Sequence, residues 1–220
     1  MRLFPSLNVL ALSFLSLGLS FQPALAWQEQ TTVDHQEVRV WTKKLEHTNF
    51  RAFRGEVLIA VPIQQVFDFI ADTPKAKDWY FNTLEAKQLK RLDEKRFLIY
   101  SVTDAPWPVS DRDSVTQVSI DDRNPEKIII QLQAQPNALP ENPNRVRIQT
   151  LNGFWQLEKV SQAQTKVTFE VAAEPGGMLP SCLANSMAVD MPYQSLKNLK
   201  AQLEQQAHLQ RSSASTLDAR

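Results

Sequence analysis

From Arg54 to Pro62 the chain reads RGEVLIAVP, with Val57, Ile59 and Val61 on alternate positions. Alternation of this kind presses one side of an extended chain against a core and predicts a strand. Pro62 ends it and suits the first turn of a helix, where its missing N–H costs nothing. In the following IQQVFDFIAD, Ile63, Val66, Phe67 and Ile70 fall at i, i+3, i+4 and i+7, the buried face of an amphipathic helix. A shorter strand is expected earlier, at Val38–Trp41. After the connection TPKAKDWYFN, strand-like segments follow at Leu84–Leu92, Arg96–Thr103, Asp113–Ile120, Lys127–Gln135, Arg145–Val160 and Thr165–Ala173. In KIIIQLQA, Ile128, Ile130, Leu132 and Ala134 share a face. In TKVTFEVA, Val167, Phe169 and Val171 stand opposite Lys166, Thr168 and Glu170. Gly153 predicts a bend or bulge in the long fifth segment.

Past Pro175-Gly176-Gly177 the period changes. Leu183, Met187 and Met191 recur every four residues, followed by Leu196, Leu199 and Leu203, so a long closing helix is expected. Pro192 should kink or restart it. The order is strand, helix, a run of antiparallel strands, then a long helix. This is an α+β arrangement in which a curved sheet is covered by both helices.

Residues 1–26 carry one charge, Arg2, then a long apolar stretch ending in Ala24-Leu25-Ala26. That is the layout of a secretory signal peptide. The stretch is also long enough to span a bilayer, but Gln22-Pro23 and the Ala-x-Ala ending favour removal. Without Arg2 the 24 basic residues become 23 against 24 acidic ones, which gives no basic excess for nucleic acid. The lone Cys182 excludes an intrachain disulfide, so the core alone must hold the exported fold. The remaining length, about 190 residues, suits one domain. The expected organisation is a signal peptide at 1–26, an extension with the first strand at 27–50, the domain at 51–206 and a polar, flexible tail at 207–220.

Chemistry-bearing motifs are sparse. His35, His47 and His208 have no partner at metal-ligand spacing. No glycine-rich phosphate loop or G-x-S-x-G elbow occurs, so neither a cofactor, a metal nor a catalytic constellation is expected. The unusual stretch is TDAPWPVSDRDSV, Thr103 to Val115. Successive strand residues point to opposite faces, so Asp111 and Asp113 share a side while Arg112 takes the other. The three cannot converge on one substrate atom. The segment therefore reads as a hairpin corner, with Trp107 either packed over the sheet or reaching a ligand.

APWPVSDRDSV also resembles the strand-turn-strand signature of START lipid-transfer domains. Other stretches match in order: RGEVLIAVPIQQVFDFIAD, AKDWYFNTLEAKQL and GGMLPSCLANSMAVDMPYQSLKNLKAQLE, together spanning about Arg54 to Glu204. The resemblance implies a helix-grip fold, a curved antiparallel sheet wrapped around the C-terminal helix with an internal apolar tunnel for one lipid. Such a tunnel needs no catalytic residue.

Ile99, Ser101, Trp107, Val118, Ile130, Leu132, Val167 and Phe169 are the expected ligand-lining positions, with Leu179, Leu183 and Met187 closing the tunnel. Plain core packing is the rival role for each. The buried acid and arginine of sterol-binding members correspond here to Ile99 and Val118, both apolar, so sterol specificity does not carry over. Ser101, Gln117 and Asn185 are candidate polar contacts. The resemblance also places a gate at Leu139 and Pro140, in QPNALPENPNR, and at Pro192. Trp79, Tyr80 and Phe81, beside Lys75 and Lys77, are candidates for transient membrane contact; the alternative is a core role for Trp79.

The expectation is an exported, periplasmic monomer that binds a lipid or other hydrophobic small molecule. Two alternatives stay open: a polyketide cyclase/aromatase-like enzyme using the same cavity, and an interaction module with a filled core.

Overall fold

The computed structural model describes residues 26–30 and 37–218. Apart from Ala26, the expected signal peptide lies outside the described residues. The strands are β1 (Gln28–Gln30), β2 (Val38–Lys44), β3 (Arg51–Ile59), β4 (Thr83–Arg91), β5 (Arg96–Thr103), β6 (Arg112–Asn124), β7 (Lys127–Ala134), β8 (Val146–Arg147), β9 (Thr150–Ser161) and β10 (Gln164–Glu174). Helix α1 (Ile63–Ala71) and the short α2 (Ala76–Trp79) fall between β3 and β4, and α3 (Ser181–Asp218) closes the chain. Among the described residues, no helix is long and apolar enough to cross a membrane.

The strands form one antiparallel sheet in the order β1-β2-β3-β10-β9-β7-β6-β5-β4, with β8 added parallel to the start of β6. Its inner face carries Phe53, Val57 and Ile59 from β3, Ile128 and Ile130 from β7, Trp155 and Leu157 from β9, and Val167, Phe169 and Val171 from β10. Helix α3 lies against β2 and β3 and buries Tyr193, Leu196, Leu199 and Leu203 in that core. α1 adds Val66 and Phe69, with Ile63, Phe67 and Ile70 packed at its margin. The arrangement is the helix-grip architecture: a sheet curved around a long C-terminal helix.

Three local expectations turn out differently. Of the bend or bulge expected at Gly153, the bulge is absent: β9 pairs continuously through it with Val171 on one side and Leu132 on the other. A Cβ there would stand 2.4 Å from the Glu170 carbonyl oxygen, so the glycine permits close backbone approach in a strongly curved sheet. Pro192 neither restarts nor ends α3, which is continuous through it to Asp218, beyond the start of the expected tail. The fifth segment is two strands, because the chain leaves β9's neighbourhood at Val146–Arg147 to pair with β6.

Candidate functional site

Two adjoining cavities of about 150 and 140 Å³ lie on the inner face of the sheet, the first between it and α3, the second between it and the α1–α2 segment. They share Tyr80, Ser101, Ser114, Leu151 and Val171, which form a waist between two lobes. The near lobe reaches α3 at Ala184, Met187, Ala188 and Met191 and ends among Thr103, Asp104, Ala105, Arg112, Pro175 and Leu179. The far lobe runs under α1 and α2 and is walled by Phe97, Ile99, Val118, Ile130, Leu132 and Trp155.

Strand parity explains the lining. On β5, Phe97, Ile99, Ser101 and Thr103 face inward; on β6, Arg112, Ser114, Thr116 and Val118 do. At the waist the Ser101 and Ser114 hydroxyls are 2.9 Å apart, and Thr116 Oγ1 donates to Ser114 Oγ at 3.5 Å. Tyr80 donates its hydroxyl to Met191 Sδ at 3.7 Å. Burial pushes the Tyr80 phenol far above its ordinary value, so it stays neutral. Three buried polar atoms of lining residues have no hydrogen-bond partner: Trp79 Nε1, Thr83 Oγ1 and Arg112 Nε.

The outer face of the same strands is closed chemically. Asp113 and Arg147, each with its side chain 1 % exposed, form a bidentate pair, Nε to Oδ1 at 2.8 Å and an Nη to Oδ2 at 3.0 Å. Tyr100 donates its hydroxyl to Asp113 Oδ2 at 3.1 Å. Burial alone raises the Asp113 carboxyl, but the bonds from Arg147 and Tyr100 outweigh it and hold it below the ordinary carboxylate value. Arg147 also donates to the carbonyls of Pro136, Leu139 and Pro140, tying the 135–145 loop over β5 and β6.

The START domain family model matches residues 26–208 of this sequence. The chain belongs to the START domain family. It is 33 % identical over 181 residues to an uncharacterized protein of Pseudomonas aeruginosa, covering 82 % of this chain and 89 % of that one. The crystal structure of the STAR-related lipid transfer protein from Xanthomonas axonopodis is 29 % identical. It superposes with a TM-score of 0.73 over 80 % of this chain and 98 % of that one. Human STARD10 shares the fold at a TM-score of 0.70 and 18 % identity, over 86 % of this chain and 78 % of that one.

In this START domain, Ile99, Ser101, Val118, Ile130, Leu132, Leu179 and Met187 line the two lobes. Val167 and Phe169 face inward but are sealed in the core, Phe169 stacked on Trp155 at a centroid distance of 3.8 Å. Leu183 stands outside the lining: α3 presents Ala184, Met187, Ala188 and Met191, the 3.6-residue face from which a four-residue spacing drifts. Trp107 neither packs over the sheet nor lines the cavity; it is 93 % exposed. Leu139 packs with Tyr100, Val102 and Val115 on the outer face, and Pro140 lies in the same loop, so neither borders the START cavity. Pro192 is buried where α3 crosses Gly55 of β3, away from the lobes.

Trp79 and Tyr80 are interior, packed on each other and on Trp155, and the Phe81 amide donates to Ser195 Oγ at 3.1 Å. The core role for Trp79 is the one observed. Gln117 donates to Ser119 at 3.4 Å and Asn185 to the Asn49 carbonyl at 3.2 Å; neither borders a lobe. Arg112, Ser114, Tyr80, Leu151 and Val171 also line the lobes, although the sequence reading did not assign them to the ligand lining. For Arg112, strand parity alone carried the signal, since it placed that side chain opposite Asp113.

Proposed function

We propose that the chain binds one hydrophobic or amphipathic small molecule in the two-lobed cavity and carries it between membranes in an exported compartment. The observation that carries this reading is the mostly apolar, two-lobed space between the sheet and the helices, with its hydroxyl-lined waist. Together the lobes fall near the lower end of the ~300–1,000 Å³ typical of small-molecule sites. Descriptions of similar proteins as lipid transfer proteins support it.

For membrane contact, we infer that Trp107 and Met178 act in place of the aromatic segment at Trp79. They are 93 % and 97 % exposed. They sit on the two connections, β5 to β6 and β10 to α3, whose residues close the near lobe. Large apolar side chains so exposed mark contact surfaces, and an indole suits the bilayer interface.

Uptake from mixed-lipid liposomes, measured on re-isolated protein, tests both parts. Wild type should take up about one ligand per chain, the capacity of a single small-molecule site. Val118→Trp places an indole in the far lobe and should reduce uptake severalfold at unchanged fold. Trp107→Ser combined with Met178→Ser should slow uptake without changing its end point. Full uptake by Val118→Trp would place the ligand elsewhere.

A further inference from the structure

Arg112 is the exceptional group in the cavity. Its residue is 4 % exposed, yet no carboxylate among the described residues lies within ion-pair distance of its guanidinium. It donates to the Ser110 carbonyl and, at a long 3.4 Å, to the Gly176 carbonyl, while Nε has no partner. A guanidinium carries five N–H donors, so most of its capacity is unused. The contrast is with Arg147, reached from the same end of β6 on its other face. Arg147 has a bidentate carboxylate and three backbone carbonyls.

Burying a cation with no carboxylate in ion-pair contact carries a heavy desolvation cost. Burial correspondingly lowers the Arg112 pKa. Asp111 acts on the guanidinium only from beyond ion-pair distance, and burial outweighs its pull. Asp111 accepts from the Ala105 amide at 3.2 Å. Asp104 also borders the near lobe, but it is exposed, where solvent and salt screen it. Arg51, another cation on the lining, is held by Thr42 at 2.8 Å and Gln28 at 3.2 Å. Arg112 therefore stands as a buried cation at one end of an apolar cavity, short of an anion.

We infer that Arg112 receives the oxyanion head, carboxylate or phosphate, of a single-chain amphiphile whose tail runs past Ser101 and Ser114 to Val118 and Leu132. This rests on the carrier reading above and specifies its ligand class. The lobes of about 150 and 140 Å³ suit one chain, and a guanidinium fork matches either oxyanion by paired hydrogen bonds.

The test compares three probes with one tail: oleate, oleoyl lysophosphatidate and methyl oleate, each titrated against the full exported protein. Wild type should prefer at least one anion over the neutral ester by about ten- to a hundredfold, the range of a charge-assisted hydrogen bond. Tighter oleate identifies a fatty-acid source, and tighter lysophosphatidate a phospholipid source. Arg112→Met should erase that preference while retaining methyl oleate, and Arg112→Lys should keep part of it.

Equal affinity of wild type for oleate, lysophosphatidate and ester overturns the role of Arg112 while leaving the carrier reading intact. So does an undiminished anion preference in Arg112→Met. Should that variant fail to fold, the wild-type comparison and Arg112→Lys still decide. Failure of wild type to bind any of the three overturns the inference together with a carrier role for single-chain lipids.

Discussion

Arg112 and Asp113 are sequence neighbours whose side chains meet opposite worlds, one the cavity and the other a closed ionic network. Alternation along β6 makes that division, and it was legible in the run Asp111-Arg112-Asp113. What each side chain meets was not legible, because Arg147 arrives from 34 residues away through the two-residue strand β8. The Asp113–Arg147 pair is buried, so removing one partner strands the other charge. Arg147→Met should lower unfolding free energy by about 3–5 kcal/mol in urea titration, and adding Asp113→Leu should recover much of it. A loss below about 1 kcal/mol, typical of exposed pairs, would contradict this account. The Asp113 carboxyl is held below its ordinary value. Its contribution to stability is therefore full above the unfolded-state value near pH ~3.9 and is lost as pH falls through the lower folded-state value. Asp113→Asn should flatten that acid limb.

Among the elements, β3, β5, β7, β10 and α1 follow the apolar periodicity to within three residues at either end, because each is built from local alternation or helical spacing. Inward parity was equally readable for Val167 and Phe169. Whether an inward residue lines a cavity or a sealed core depends on where the helices land, which no local pattern encodes. Helix α3 lands on Gly55: a Cβ there would stand 2.5 Å from Leu196 Cδ1 and 3.1 Å from Pro192 Cβ. Leu196 is fully buried and has little room to yield. Gly55→Ala should therefore destabilise by about 1–3 kcal/mol, the cost of overpacking a filled core. Chemical denaturation checks this; an unchanged or raised midpoint would mean that α3 can lift from β3 without cost. The 135–145 loop is the counterexample to local reading. Its prolines mark a loop, but its side of the sheet is chosen by Arg147, which is anchored on Asp113, 34 residues away.

At the scale of the whole molecule, the sheet grips α3 tightly at one end and loosely at the other. Tight packing centres on Phe53, Trp155, Phe169 and Tyr80, whose rings stack or meet edge to face. Beside them the near lobe runs to Arg112, at the end where the connections carrying Trp107 and Met178 close it. One molecule thus combines an aromatic core, an apolar space, a buried cation and two exposed apolar tips, the features on which the proposed carrier role rests. The most direct test of that account is native mass spectrometry of the protein purified from the cells that produce it, followed by extraction of whatever it holds. A stoichiometric adduct of lipid mass, identified on extraction as a single-chain acidic amphiphile, is the predicted result. A bare polypeptide mass that stays bare after exposure to mixed liposomes would contradict it.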